Sequence, residues 1–212
     1  MKKKHKGRGI MNRSDIPYAQ RIALQRQHDI AMNRDHAAKI AMWCLSVAMH
    51  ELEGIGYKRL VRFSYRHKKL IDDFYEDPDV SMDHAKRRLE QIGMQISGEL
   101  YTVELEGKTK REQEIGNHRL QAVQIALICG ALAMNEEFGF SQERQTRVSK
   151  RANELSGRYA KEGEQFLLDE MERIGFVIID GDVRACIDED GNAVSVKKWM
   201  EQCHGSTGNQ EQ

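Results

Sequence analysis

The segment from Lys58 to Lys69, KRLVRFSYRHKK, holds the densest set of side chains that could recognise a charged ligand. It contains six lysines and arginines, one histidine and no acidic residue. On a helix, cations that recur at three- and four-residue steps lie on one face, where they can reach phosphates or carboxylates. Tyr57, Phe63 and Tyr65 could add aromatic stacking. The run therefore predicts a positively charged binding surface.

Two external contacts are compatible with this surface. A basic helix after a glycine turn fits a helix-turn-helix that binds DNA or RNA. A basic helical face is also typical of solvated surface or of contact with an acidic partner protein. Either contact would use residues of this helix and of the next one, namely Lys58, Arg59, Arg62, Arg66, Lys68, Lys69, Lys86, Arg87 and Arg88.

The sequence offers no anchor for catalysis. Cys44, Cys129, Cys186 and Cys203 are far apart and form no CxxC pair, which favours reduced thiols over disulfides. Because Cys44 and Cys129 fall among alanines in apolar helices, we expect them to be buried and unreactive. The GxSxG, P-loop and GxGxxG motifs are absent from the sequence. We therefore expect a non-enzymatic protein with no catalytic residue.

Metal binding is not indicated either. The eight histidines are scattered, and none has a ligand spacing such as HExxH. The segment DEDGNAVSVKKW, which begins at Asp188, matches three ligand positions of a calcium loop. It then places Ala193 where glycine is required and Trp199 where a bidentate glutamate is required. We expect a hairpin turn there, and neither a metal nor a cofactor.

Composition places the chain among globular proteins, with 212 residues of which 40% are hydrophobic and 31% are charged. The formal net charge is zero, but five cations lie in the first ten residues, leaving 28 basic against 33 acidic residues elsewhere. This balance does not favour attraction of nucleic acid to the whole surface. No run of 18 apolar residues occurs, so we expect no membrane span. The basic first residues are not followed by a hydrophobic segment and a cleavage site, which favours a cytoplasmic location.

Two segments that lie 85 positions apart predict how the chain is organised. Residues 37–52 and 122–137 match at seven of sixteen positions. Most matches follow the i, i+3, i+4, i+7 spacing of one helical face. We expect two narrow stripes of small residues to pack together across an approximate two-fold axis. The residues of this seam are Ile40, Ala41, Cys44, Ala48, Ile125, Ala126, Cys129 and Ala133.

Each copy continues in the same order. The first helix should end at Gly54 or Gly139, since glycine accepts the left-handed backbone of a C-cap. Second helices are expected over 58–76 and 141–160, and third helices over 81–91 and 164–173. The segments 15–32 and 110–117 are also predicted to be helical, the latter with a capping box of Thr109 and Glu112.

The sequence therefore predicts a mainly α fold with minor β. It would arise by tandem duplication of a helix–helix–helix–strand unit and carry a C-terminal β-hairpin. The hairpin would pair VRACI with AVSV, and LYTVEL would be the strand of the first copy. A symmetric homodimer through the same seam is the alternative arrangement. The expected parts are a flexible basic arm (1–13), repeat 1 (14–106), repeat 2 (107–203) and a disordered tail (204–212).

The arginines shared by the two copies have an internal interpretation as well. Arg59 and Arg144, Arg62 and Arg147, and Arg66 and Arg151 match at the same offset of 85. They could pair with Glu51 and Glu136 and tie helix ends together rather than contact a ligand.

The run SDIPYAQRIALQRQHDIAMNRDHAAKIAMWCLSVAMHELEGIGYKRLVRF, followed by DDFYEDPDVSMDHAKRRLEQIG, resembles small helical proteins encoded by phages and prophages of Firmicutes-type gut bacteria. The resemblance covers most of residues 12–96 and carries over no functional residue. It implies a phage accessory protein that acts by binding a host or phage protein, for example as an anti-CRISPR-like inhibitor of a host defence system. The alternative is a DNA- or RNA-binding regulator that uses Lys58 to Lys69.

Overall fold

The structure is a computed structural model that describes residues 17–76, 82–93, 109–187 and 192–205. These ranges form seven helices and one two-stranded antiparallel sheet, so the fold is mainly α with minor β, as predicted. The helices are α1 Tyr18–Glu53, α2 Tyr57–Glu76, α3 Met82–Gln91, α4 Lys110–Phe138, α5 Gln142–Glu162, α6 Glu164–Ile174 and α7 Val196–Gly205. The strands are β1 Val177–Ile179 and β2 Asp182–Arg184. None of these helices is long and apolar enough to span a bilayer.

The helix ends follow the local signals in the sequence. Gly54 and Gly139 adopt left-handed backbone, and their N–H groups donate to carbonyls of the last turn of α1 and α4. Thr109 and Glu112 form the predicted capping box at the start of α4. The predicted helical segments 15–32 and 110–117 are, where described, the first turns of α1 and α4 themselves.

The long helices α1 and α4 run side by side in the same direction. Arg26 pairs with Glu114 near the start of both helices, and Leu45 contacts Gly130 farther along both. The predicted seam residues lie on these two helices, and all of them are buried except Ala41, which is partly buried. Small side chains let the two backbones approach closely, because little volume separates them.

The second and third helices of each half pack on the first helix of the other half, an arrangement we call exchanged packing. Helix α2 packs on α4 and hardly contacts α1, while α5 packs on α1. Likewise, α3 packs on α4 and α6 on α1. Helices α2 and α4 are antiparallel: Arg59 lies over Phe138 at the end of α4, whereas His67, later in α2, contacts Ala126, which comes earlier in α4. One continuous core of buried side chains therefore joins both halves.

Reciprocal ion pairs mark equivalent positions in the two halves. Arg66 Nε lies 2.5 Å from Glu136, and Arg151 Nε lies 2.7 Å from Glu51. Arg151 lies 85 positions after Arg66, and Glu136 lies 85 positions after Glu51. This confirms the internal interpretation for Arg66 and Arg151. A further reciprocal set, again at offset 85, joins the first turns: Arg26 with Glu114 and Arg111 with Asp29. The tandem duplication stays a prediction, which these contacts support.

The seam is asymmetric at one matched pair. Leu45 and Gly130 are 85 positions apart and face each other across the seam. A Cβ atom on Gly130 would lie 2.6 Å from Leu45 Cδ1, which is too close for any side chain. Leu45 is fully buried and cannot swing aside into solvent. Leucine on one helix therefore occupies the space that glycine leaves on the other.

The C-terminal hairpin pairs different strands from those predicted. Residues 177–179 pair with 182–184 around Asp180 and Gly181, both of which have positive φ. Aspartate followed by glycine is the strongest two-residue hairpin signal, because this turn matches the twist of the strands. Between 183–187 and 193–196 the structure has one antiparallel bridge, Ile187 to Ala193, and a hydrogen bond from the Val194 N–H to the Cys186 carbonyl. The predicted hairpin of VRACI and AVSV is therefore present at its closing pair, in the expected register, but does not extend into two full strands.

Some expectations fall on segments outside the described residues. These are the basic arm 1–13, the helix start at Ser81, the strand LYTVEL and most of the turn DEDGN. Helix α7 runs to Gly205, into the segment 204–212 that the sequence assigns to the tail.

We expect Gly130→Leu to lower the free energy of unfolding by about 2 kcal/mol, because the added side chain would overlap Leu45. Adding Leu45→Ala to this variant should restore more than half of the loss, since the volume is only moved across the seam. Gly157→Ala, at an open position in α5, should instead stabilise the protein by about 1 kcal/mol. Urea unfolding measures all three, and an unchanged midpoint for Gly130→Leu would contradict the close approach.

We also expect the fragments 1–106 and 107–212 to depend on each other for folding. Each fragment carries second and third helices that bury their apolar faces on the first helix of the other. Separately, the fragments should lose most of their helical circular dichroism; mixed in equal amounts, they should regain it. A fragment that unfolds cooperatively on its own would show that a half is an independent domain.

Candidate partner-binding face

The predicted basic residues lie on the outward side of α2 and on α3. Helix α2 buries Leu60, Phe63, His67 and Leu70 on α4, so its cations face away from the core. Helix α3 buries Ala85 and Leu89 on the same partner. Both helices therefore pack on α4, with their cations outside the buried contact.

Four of the nine predicted contact residues form ion pairs within the protein. Arg62 pairs with Glu137 at 3.0 Å, and Lys68 pairs with Asp72 within α2 at 2.5 Å. Glu136 forms ion pairs with both Arg66, at 2.5 Å, and Arg88, at 3.0 Å. Helix α4 therefore supplies carboxylates that the segment Lys58 to Lys69 itself lacks. Glu136 also connects α2 with α3.

The remaining cations differ in how firmly they are held. The Arg59 guanidinium lies 4.8 Å from the centre of the Phe138 ring, a cation–π contact that fixes the side chain. Arg87 makes only a long hydrogen bond, 3.3 Å, to the Asp83 carbonyl. Lys58, Lys69 and Lys86 take part in no ion pair with any residue in the described part of the chain. Their charge is available to a partner.

The centre of the α2 surface is aromatic. Tyr65 is 73% exposed, although tyrosine rings are usually at least half covered in folded proteins. Lys58, Arg62, Tyr65 and Lys69 follow each other at helical spacing, and we call these four residues the α2 face.

The matching positions of α5 do not reproduce this face. They are Glu143, Arg147, Lys150 and Glu154, which include two acids and no aromatic residue. Only the first half therefore presents an exposed tyrosine among cations at these positions.

A cleft of about 830 Å³ lies at the N-terminal end of the α2 face. One wall is the first turn of α2, including Tyr57, Lys58 and Arg59, and the other is the segment 193–198 at the start of α7. We call it the α2–α7 cleft. Lys198 was not among the predicted contact residues, because only the folded chain brings α7 to α2.

The floor of the α2–α7 cleft is held in place by Tyr57. Its hydroxyl accepts a hydrogen bond from the Cys186 N–H at 2.7 Å and donates to the Cys186 carbonyl at 3.3 Å. Burial raises the pKa of Tyr57 to about 12, so the hydroxyl remains protonated and can donate. The ring packs edge-on against Phe176 at 5.1 Å and lies against Gly175. The two walls are therefore joined rigidly.

The cysteines are structural where the chain is described. Cys44 and Cys129 are buried in the core, and burial raises the pKa of each thiol to about 12. A protonated, enclosed thiol is a poor nucleophile. No cluster of three or more side chains that could hold a metal ion occurs within the described ranges.

Comparisons of this chain with protein-family models, curated proteins and solved structures found no match. The α2 face and the α2–α7 cleft are therefore the basis for any functional proposal.

His67 lies within the basic segment but contributes no positive charge at neutral pH. Its side chain is buried, stacks on Phe63 at 5.6 Å and makes a 2.7 Å hydrogen bond from Nε2 to the Ala126 carbonyl. Burial lowers its pKa from 6.5 to about 4. The neutral ring therefore acts as a packing residue between α2 and α4.

This burial predicts acid sensitivity. The unfolded chain binds a proton at His67 near pH 6.5, whereas the folded chain does so only near pH 4. Stability from this residue is therefore complete above pH 6.5 and falls as the pH drops from 6.5 to 4, by on the order of 3 kcal/mol. In His67→Gln, which keeps a donor for Ala126, the loss over this range should shrink, as measured by urea unfolding. The exposed control His28→Gln should keep the wild-type slope, and a wild-type slope in both variants would contradict the assignment.

Proposed function

We propose that the protein is a non-enzymatic accessory protein that binds an acidic surface of a partner protein through the α2 face. The supporting observation is the exposed Tyr65 between Lys58, Arg62 and Lys69 on a packed helix. Tyrosine and arginine are the residues that most often dominate the binding energy of protein interfaces. Because the helix is already fixed on α4, little conformational freedom would be lost on binding.

The charges suit a protein partner better than a nucleic acid. Arg62, Arg66 and Arg88 already pair with Glu136 or Glu137. Any anion that approached these arginines, whether a phosphate or a carboxylate of a partner protein, would also approach Glu136 and Glu137, which repel it. A nucleic acid carries a phosphate at every step along its backbone, so it could not avoid this repulsion. A protein surface can instead cover Tyr65 at the centre and contact Lys58 and Lys69 at the edge. Binding of DNA or RNA through the same helix is the alternative.

The resemblance of residues 12–96 to phage and prophage proteins supports the biological part of the proposal. In that setting, the partner is a host or phage protein in a bacterial cytoplasm. A nuclease of a host defence system is the partner class we favour, since binding next to its nucleic-acid surface would block access to that surface without any chemistry. Surfaces that bind nucleic acid are themselves basic, so the acidic contact would lie beside that surface.

A pull-down from lysate of phage-infected or CRISPR-carrying bacteria tests this proposal. Wild-type protein should retain a partner in stoichiometric amount, and the double variant Tyr65→Ala/Lys69→Glu should retain at least about tenfold less, as expected for loss of an interface centre. The matched control Lys150→Ala, at the position of α5 equivalent to Tyr65, should behave like the wild type. Equal retention by all three proteins, or no stoichiometric partner, would count against the α2 face.

The wild type and the double variant Arg62→Ala/Arg66→Ala should be passed over immobilised duplex DNA in a salt series. Binding at low salt that weakens steeply with salt and disappears in Arg62→Ala/Arg66→Ala would support the nucleic-acid alternative instead. No retention at low salt would remove that alternative.

A further inference from the structure

The α2–α7 cleft is a depression that is open to solvent and lined by both apolar and cationic side chains. Its volume of about 830 Å³ falls in the range that holds several side chains of a ligand or peptide. Tyr57, Val194 and Val196 give it apolar surface, and Val196 is 40% exposed. An apolar surface of this kind gains free energy when a partner side chain covers it.

Among the described residues, every charged side chain that lines the cleft is a cation. These residues are Lys58 and Arg59 from α2 and Lys198 from α7. Arg59 is held over Phe138, while Lys58 and Lys198 make no ion pair with any described residue. Three cations from two helices, with no carboxylate among the described lining residues, favour an anionic occupant.

The walls do not need to rearrange to receive it. Tyr57 joins α2 to the backbone at Cys186, and the Val194 N–H donates to the Cys186 carbonyl at 2.9 Å. The same short stretch of chain thus holds both walls. Preorganised walls reduce the ordering cost that otherwise weakens peptide binding.

We propose that the α2–α7 cleft binds a short acidic segment of a partner protein. At least one carboxylate would contact Lys58, Arg59 and Lys198, and a neighbouring apolar side chain would cover Tyr57 and Val196. A peptide segment fits better than a small molecule because the cleft continues into the α2 face through Lys58, which belongs to both. That this segment belongs to the same protein that binds the α2 face rests on the proposed function. The binding of an acidic segment by the cleft does not rest on it.

The test uses the full-length protein and a fluorescein-labelled eight-residue peptide in which glutamate alternates with leucine. We expect anisotropy to show saturable binding of this peptide, and at least about tenfold weaker binding when serine replaces leucine or lysine replaces glutamate. Binding should weaken about tenfold in Lys198→Glu and in Lys58→Glu. The control Lys197→Glu should bind like the wild type, because Lys197 is the exposed neighbour in α7 that does not line the cleft.

Several results would overturn the proposal. These are no binding of the glutamate–leucine peptide, equal weakening by Lys197→Glu and Lys198→Glu, or tighter binding of a single-stranded oligonucleotide of equal charge that competes with the peptide. Tyr65→Ala/Lys69→Glu changes residues outside the cleft and should keep peptide binding. Peptide binding by the wild type without any lysate partner would therefore refute the α2 face alone. A lysate partner that depends on Tyr65 and Lys69, without any peptide binding, would refute the cleft alone.

Discussion

The contact of Leu45 with the bare backbone of Gly130 is the constraint on which the arrangement of the other helices depends. It lets α1 and α4 run in parallel at close range, so that each can accept helices from the opposite half of the chain. Since α2 packs on α4, the position of every residue of the α2 face is set by α4 and not by the helix that precedes it. A change in the seam would move the face and the cleft together, because both begin at the first turn of α2.

The halves share their scaffold contacts and differ at their surfaces. Arg66 and Arg151 make equivalent ion pairs, and both long helices end in the same glycine cap. By contrast, Tyr65 faces solvent where the second half has Lys150. Residues that hold equivalent elements together must keep their chemistry, whereas solvent-facing residues contribute little to stability. The positions at which the halves differ are therefore where a partner-specific role can reside.

Local signals made much of the fold predictable from the sequence. The helical spacing of apolar residues and the caps at Gly54, Thr109 and Gly139 are short-range properties, and each is found as expected. The exchange of α2 and α5 was not predictable, because the apolar stripe of α2 could pack on either long helix. The hairpin at Asp180–Gly181 was missed because the expectation rested on the longer turn-like segment DEDGN, where the described residues form only a single bridge. Lys198 was missed because the cleft depends on contacts between distant parts of the chain.

The exchanged packing also determines what the basic segment can do. Read alone, Lys58 to Lys69 is a continuous positive run suited to phosphates. Packing on α4 places Glu136 and Glu137 beside its arginines, which holds Arg62 and Arg66 in fixed geometry. The part of the α2 face that forms no ion pair with a described residue is Tyr65, with Lys58 and Lys69 at the two ends of the face. Beyond Lys58 lies the α2–α7 cleft, which is lined by cations and apolar side chains. Such a surface distinguishes partners by shape and apolar contact as well as by charge, which a uniform cationic stripe cannot do.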